Sequence, residues 1–264
     1  ANFEAPQVEE EVASDCGDVD AATEAALAEA PFTHLHVHSQ FSVLQAVSSV
    51  GELVSAAKDM GMPALAVTDH GNMMAAFQFV RACNKEGIKP IVGSELNVCR
   101  DMHDKSVKDD GYPTVFLAKN KNGYHNLAKL ASKAYTEGFY YVPRIDRALV
   151  EEYKEDLVVL TGGLFGEVPS LILNVGEAQA EEAFVFWKNL MGNDFYVELN
   201  RHGLEEEAVV NQVLQGLAAT HDVELVASSN SYYTRQDQSD AHDILLCVKD
   251  ARNVSQPKRY VGKR

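Results

Sequence analysis

Phe32-Thr33-His34-Leu35-His36-Val37-His38-Ser39 reads as the opening of an α/β chain, with a strand over Phe32–Val37. Successive side chains on a strand point to opposite faces. The three histidines therefore fall on one side, and Leu35 and Val37 on the other. Three imidazoles on one short strand are costly to bury unless each finds a partner. Neutral imidazole is also the commonest protein metal ligand. A single His-x-His recurs by chance, so the spacing alone equally describes a solvated strand end.

Working outward, strand and helix patterns alternate. Val47–Met60 reads as a helix, with Val50, Leu53, Val54 and Ala57 at helical spacing. Pro63–Thr68 reads as a buried strand, and Met73–Glu86 as a helix that Gly87 is placed to end. Ile88–Val98 contains the next strand; Thr114–Ala118 is another, followed by a helix over Asn122–Tyr135. Leu157–Thr161, Phe195–Leu199 and Glu224–Ser228 read as strands, and Gly176–Met191, Leu204–Thr220 and Gln236–Val248 as helices. This alternation predicts a parallel sheet, closed or nearly closed into a β/α barrel. Chemistry in such barrels sits at the C-terminal ends of strands. The polar residues expected there are His36 and His38, Asp69-His70, Glu95, and Ser229-Asn230.

Composition narrows the options. The chain has 264 residues, is 46% hydrophobic and has a formal net charge of −16. That size suits one large domain. No apolar run approaches the length of a bilayer span, so no membrane association is expected. A signal peptide is not expected either, because the N-terminus is acidic. Four scattered cysteines without Cys-x-x-Cys fit reduced thiols and a cytoplasmic location. The acidic balance argues against general nucleic-acid gripping. Residues 1–30 hold nine acidic residues and no basic one, and are expected to be an acidic, flexible extension, with a helix conceivable over Val19–Ala30. The basic run Lys258–Arg264 reads as a solvated tail.

The chemical candidates come from three successive strand ends. Asp69 can orient His70 through the ring nitrogen not used for metal, although Asp69 or Asn72 can equally be a helix cap. Glu95 adds a carboxylate. His36, His38, His70 and Glu95 together suit Zn²⁺, Mn²⁺ or Fe²⁺, and several such ions in one pocket could activate water and neutralise a phosphate ester.

At this point the sequence resembles a known family. His-x-His-Ser, then Ala-Val-Thr-Asp-His-Gly-Asn, then Pro-Ile-Val-Gly-Ser-Glu is similar to the polymerase and histidinol phosphatase (PHP) family. The narrower resemblance is to the N-terminal PHP domain of bacterial replicative DNA polymerase III alpha subunits. It continues through Leu117-Ala118-Lys119-Asn120, Pro143-Arg144-Ile145-Asp146, Gly166-Glu167-Val168-Pro169, Glu198–Gly203 and Asp240–Cys247, so that residues 31–264 would form the domain. The resemblance implies a distorted seven-stranded β/α (TIM-like) barrel of the PHP type.

It also implies a metal centre in which up to nine residues hold up to three ions. His36, His38, His70 and Glu95 match that pattern. Gln45, Pro113, Gly163, Asn230 and Tyr232 stand where the family carries further ligands. Gln and Asn remove charge, and Pro and Gly offer no ligand atom; clustered cations need anionic ligands to offset their mutual repulsion. The expectation is a depleted site holding one ion weakly. His202 is the best substitute ligand, ahead of His103, His125 and His242, while Arg144 and Arg201 are candidate phosphate contacts, with ion pairing as their alternative role. The implied function is a structural scaffold of a replicative polymerase that docks a proofreading exonuclease. Its partners would be the remainder of the alpha subunit, that exonuclease, and DNA through the full-length polymerase. The alternatives are an active metal-dependent 3′–5′ exonuclease or phosphoesterase, and a free-standing small-molecule phosphatase.

Overall fold

The structure is a computed structural model that describes residues 30–256. The expected acidic extension, the helix over Val19–Ala30 and the basic run Lys258–Arg264 lie outside the described residues or almost entirely so. Every helix and strand described lies within the unit Thr33–Arg264.

Its elements, in order, are α1 (Val50–Asp59), β1 (Ala64–Val67), α2 (Ala76–Glu86), β2 (Lys89–Cys99), β3 (Tyr112–Ala118), α3 (Lys121–Thr136), β4 (Arg144–Asp146), α4 (Arg147–Tyr153), β5 (Leu157–Leu160), α5 (Glu167–Asn174), α6 (Glu177–Met191), β6 (Phe195–Asn200), α7 (Glu205–His221), β7 (Leu225–Ser228) and α8 (Ser239–Asp250). Local chemistry sets several boundaries. Ser49 and Glu52 form a capping box at the start of α1. Gly87, at φ +75°, ends α2 in the left-handed conformation that glycine adopts without a Cβ penalty. Asn120 caps α3, and Asp146 caps α4 through the Leu149 amide.

Seven strands form one sheet in the order β1-β2-β3-β5-β6-β7, with β4 paired to β2. The expected barrel class holds, but the sheet is not all parallel. β3 runs antiparallel to both β2 and β5, while the other pairs are parallel. The long strand β2 makes this workable: residues 89–92 pair with β1, and residues 93–98 go on to pair with the reversed β3.

The expected first strand is also different. Residues 32–37 form no regular strand, only an isolated bridge between Val37 and Ser231. The segment is nevertheless hydrogen-bonded on both sides. Ala66 and Thr68 amides donate to the His34 and Val37 carbonyls; His38 donates to Ser231, and Ser231 to His36. The segment thereby joins the β1 edge to the turn after β7. Its irregularity breaks the expected alternation. Val37 packs in the cluster with Leu53, Leu65 and Phe79, whereas Leu35 packs with Ala66, Val115, Leu117 and Leu160. His34 sits beside Val37, Leu53 and Met62 rather than with His36 and His38.

Two layers of core result. The strand residues Ala66, Val115, Leu117 and Leu160 fill the inner face, and the larger cluster around Phe116, Leu127, Phe184, Trp187 and Phe195 packs helices against the outer face. β4, α4 and α5 escape the sequence pattern. β4 consists of Arg144-Ile145-Asp146, all buried, and its charged ends look like a loop until their partners are seen. The Arg144 guanidinium donates to the carbonyls of Gly138, Asp109, Met102 and Asp104, and Asp146 accepts from the Met102 and Leu149 amides. Arg144 is 0% exposed, which removes it as a phosphate contact. Removing its donors strands several carbonyls away from water. Arg144→Met should therefore lower stability by about 3 kcal/mol, measured by urea unfolding; a loss within about 0.5 kcal/mol, typical of surface changes, would show that the clamp is dispensable.

Candidate metal centre

His36, His38, His70 and Glu95 converge as expected. Glu95 is placed not at a strand end but inside β2, where it pairs with Val115 of β3 and bridges to His70 after β1. Its amide donates to the Asp69 carbonyl, and its carbonyl accepts from Gly71. Gly71 has φ +70°, so the turn after His70 favours glycine. The Glu95 side chain lies between imidazoles: Oε2 is 2.9 Å from His36 Nε2 and 3.9 Å from His38 Nε2, and Oε1 is 2.7 Å from His70 Nδ1.

On the far side, His36 Nδ1 lies 2.8 Å from Glu198 Oε1. Glu198, on β6, is 1% exposed, and its Oε2 has no hydrogen-bond partner among the described residues. Sequence reasoning missed this residue. The signal was the carboxylate in Phe195–Asn200, the one charged side chain of a buried strand.

Asp69 does not orient His70. Its carboxylate accepts from the Ser39 amide and hydroxyl and from the Ser42 hydroxyl, each at 2.7 Å. Ser42 Oγ in turn lies 3.1 Å from His38 Nδ1. Asp69 thus reaches His38 through Ser42. The His38 ring also stacks on Tyr232, with centroids 4.3 Å apart and planes at 4°.

Electrostatics divide the two buried histidines. Burial alone pulls the His36 imidazole down, but the Glu198 and Glu95 charges and hydrogen bonds override it and push it up to about 10. Burial pulls His38 down to about 3, with the charges of His36 and His70 adding to the effect against Glu95. Burial raises the Glu95 carboxyl, but hydrogen bonds from His36 and His70 outweigh it and hold the group well below the usual carboxylate range. His36 is accordingly an imidazolium held between two carboxylates, and His38 is neutral.

Ligand atoms of His36, His38 and Glu95 lie within 4.8 Å of one another, a spacing that one ion can bridge. His70 is outside this trio and reaches it through Glu95. Beside the trio is a cavity of about 560 Å³ lined by His70 and Glu95. Gln45, Pro113, Gly163, Asn230 and Tyr232 line the same cavity. His202 and Arg201 do not; His202 binds Glu207 at 2.6 Å and is held at the start of α7. His242 comes nearer, hydrogen-bonding the Gln45 carbonyl at 2.8 Å, while His103 and His125 are absent from the cavity lining.

Residues 34–202 match the PHP domain. The chain belongs to the PHP domain family. Across 242 residues the PHP chain is 43% identical to DNA polymerase III subunit alpha of Treponema pallidum (strain Nichols), covering 90% of this chain and 21% of that protein. It is 37% identical over 240 residues to the subunit of the same name from Thermus aquaticus, covering 87% and 19%. The PHP chain therefore spans about a fifth of the length of these curated relatives. Among solved structures it shares its fold with a protein from Bifidobacterium adolescentis described as a metal-dependent phosphoesterase (TM-score 0.53, 13% identity, 77% of this chain and 88% of that one). A Chromobacterium violaceum amidohydrolase solved with sulfate gives a TM-score of 0.52 at 12% identity, covering 76% and 87%. At such identities the likeness concerns the fold alone.

The charge arrangement sets a pH dependence. His36, raised from 6.5 to about 10, contributes stability that is complete below about pH 6.5 and is lost as pH rises through about 10. His38, lowered to about 3, removes stability as pH falls from 6.5 toward 3, because only the unfolded chain takes up its proton. Metal-free protein in chelator should therefore melt highest near pH 6.5–7, on the order set by the ordinary histidine value. Glu198→Gln should move the alkaline limb to lower pH. Thermal unfolding of both proteins from pH 5 to pH 10 checks this; superimposable alkaline limbs would refute the bridged imidazolium.

Proposed function

We propose that this chain is the PHP domain of a replicative DNA polymerase alpha subunit, with a depleted metal site, serving as a structural scaffold and docking platform for a proofreading exonuclease in the cytoplasm. The observation that carries the reading is the lining of the cavity. The five positions where the family resemblance places further ligands hold Gln45, Pro113, Gly163, Asn230 and Tyr232, and all five border the same space as His70 and Glu95. None supplies an anionic side chain. Several divalent ions in so small a volume need such charges.

The residues present fit one ion. His38 Nε2 is buried with no hydrogen-bond partner among the described residues, and His36 and Glu95 stand within bridging distance of it. A single bound ion would supply Lewis acidity and an activated water. His36, His38 and Glu95 would hold it, with His70 steadying Glu95. The bridging proton on His36 competes with that ion, which supports weak retention. Docking is supported by apolar surface at the cavity: Val43, Met74 and Tyr141 line it while exposing 68%, 63% and 64% of their surface. Exposed apolar groups gathered at one place favour a protein contact.

The second reading, a working metal-dependent 3′–5′ exonuclease or phosphoesterase, is favoured by the unused His38 Nε2 and by the size of the cavity, which falls in the range of small-ligand sites.

Metal analysis separates the two. The expected result is at most one ion per chain and no manganese-stimulated release of nucleotides from single-stranded DNA. Three ions with nucleotide release would overturn the depleted site. For the scaffold role, a purified proofreading exonuclease should bind equally well with and without chelator, and absence of binding in both states would overturn it.

A further inference from the structure

Two of the histidines that face Glu95, His36 and His38, are each held from behind, and by different means. His36 Nδ1 lies 2.8 Å from the Glu198 carboxylate, and its Nε2 points at Glu95. A carboxylate only accepts, so the Nδ1 proton is fixed toward Glu198. His38 is fixed through a hydroxyl instead. Asp69 accepts the single proton of Ser42 Oγ at 2.7 Å. Toward His38 Nδ1, 3.1 Å away, Ser42 can then only accept. His38 must carry its proton on Nδ1, leaving a bare lone pair on Nε2. That nitrogen is buried and has no hydrogen-bond partner among the described residues.

Both rings thus present Nε2 toward one point, 2.9 Å and 3.9 Å from the same Glu95 oxygen. An unpaired buried nitrogen is costly, and a cation beside it is the partner that this tautomer suits. Carboxylate partners behind ligating histidines fix ring orientation and raise ligand basicity.

We propose that Glu198, and Ser42 backed by Asp69, are positioning residues that set His36 and His38 as Nε2 ligands of a single divalent transition-metal ion shared with Glu95. The inference rests on the one-ion reading of the site and adds two supports that lie outside the ligand trio. Ser39 belongs to the second support, because its amide and hydroxyl hold Asp69 in place.

The test uses the 264-residue chain stripped with chelator and titrated with Co²⁺, followed by its absorption spectrum, and with Zn²⁺ in competition. Wild type should bind one ion. Ser42→Ala and Glu198→Ala should weaken Co²⁺ binding by about 10- to 100-fold and alter the spectrum. Glu198→Gln should lose less, because its amide oxygen still accepts the Nδ1 proton. A merely structural role would lower the unfolding midpoint of the metal-free variants and leave affinity and spectrum unchanged. If Glu198→Ala fails to fold, Ser42→Ala, which removes one oxygen, carries the test alone. Wild-type affinity in the folded variants would overturn the positioning role while leaving the one-ion reading intact. Absence of Co²⁺ and Zn²⁺ binding to wild type would overturn the positioning role and leave the scaffold reading standing. Two or more ions on wild type would overturn the one-ion reading and the proposal with it.

Discussion

The contact on which the barrel's polar interior depends is that between Glu95 and His36. Glu95 belongs to the strand that pairs with both β1 and β3, so its backbone fixes the meeting of three segments. Its side chain takes His36 from the irregular N-terminal segment and His70 from the turn after β1. His36 then reaches across to Glu198 on β6. Four parts of the chain, distant in sequence, are tied through one imidazolium and two carboxylates. Buried carboxylates without a cation or donors would oppose folding. The proton on His36 places a positive charge between the two side chains.

Arg144 shows the same economy at a second place. A buried guanidinium there donates to four carbonyls of the 102–109 and 138 loops. The loop that links β2 to the reversed β3 is thereby fastened to β4. Reversal of β3 and burial of Arg144 are parts of one arrangement, since the long loop that lets the chain turn back would otherwise leave its carbonyls dry and unpaired.

How legible this was depends on what each residue's pattern encodes. Helices α1, α2, α3, α6 and α7 have apolar faces and end signals, and their expected limits come within a few residues. The convergence of His36, His38, Glu95 and His70 was legible because several short motifs occur together in one order, where a single His-x-His would not have specified it. Strand direction was not legible, because a buried strand such as Thr114–Ala118 looks the same in either direction. The failure at residues 32–37 has a different cause: alternation assumes a regular pleat, and this segment is pinned on both sides by hydrogen bonds that do not follow one. Asp69 was assigned to the wrong histidine because adjacency to His70 suggested a contact, whereas the chain turns it toward Ser39 and Ser42. Glu198 escaped notice because its role exists only once β6 faces His36 across the barrel.

A proton and a metal ion can do the same electrostatic duty between Glu95 and Glu198, and this bears on which residues a barrel of this kind can lose. Gln45, Asn230 and Tyr232 border the cavity without a formal charge, and Tyr232 stacks on the neutral His38, so these side chains leave the charge balance of the cluster intact. His36 and Glu95 differ. Neutralising either one leaves a buried charge without its counterpart, at a cost of about 3–5 kcal/mol for a broken buried pair. On the depleted-site reading, ligands at the rim are therefore the ones that can be lost without harm to the fold. On the same reading the inner pair is the part that the fold itself needs, because the barrel uses it to bury its own carboxylates.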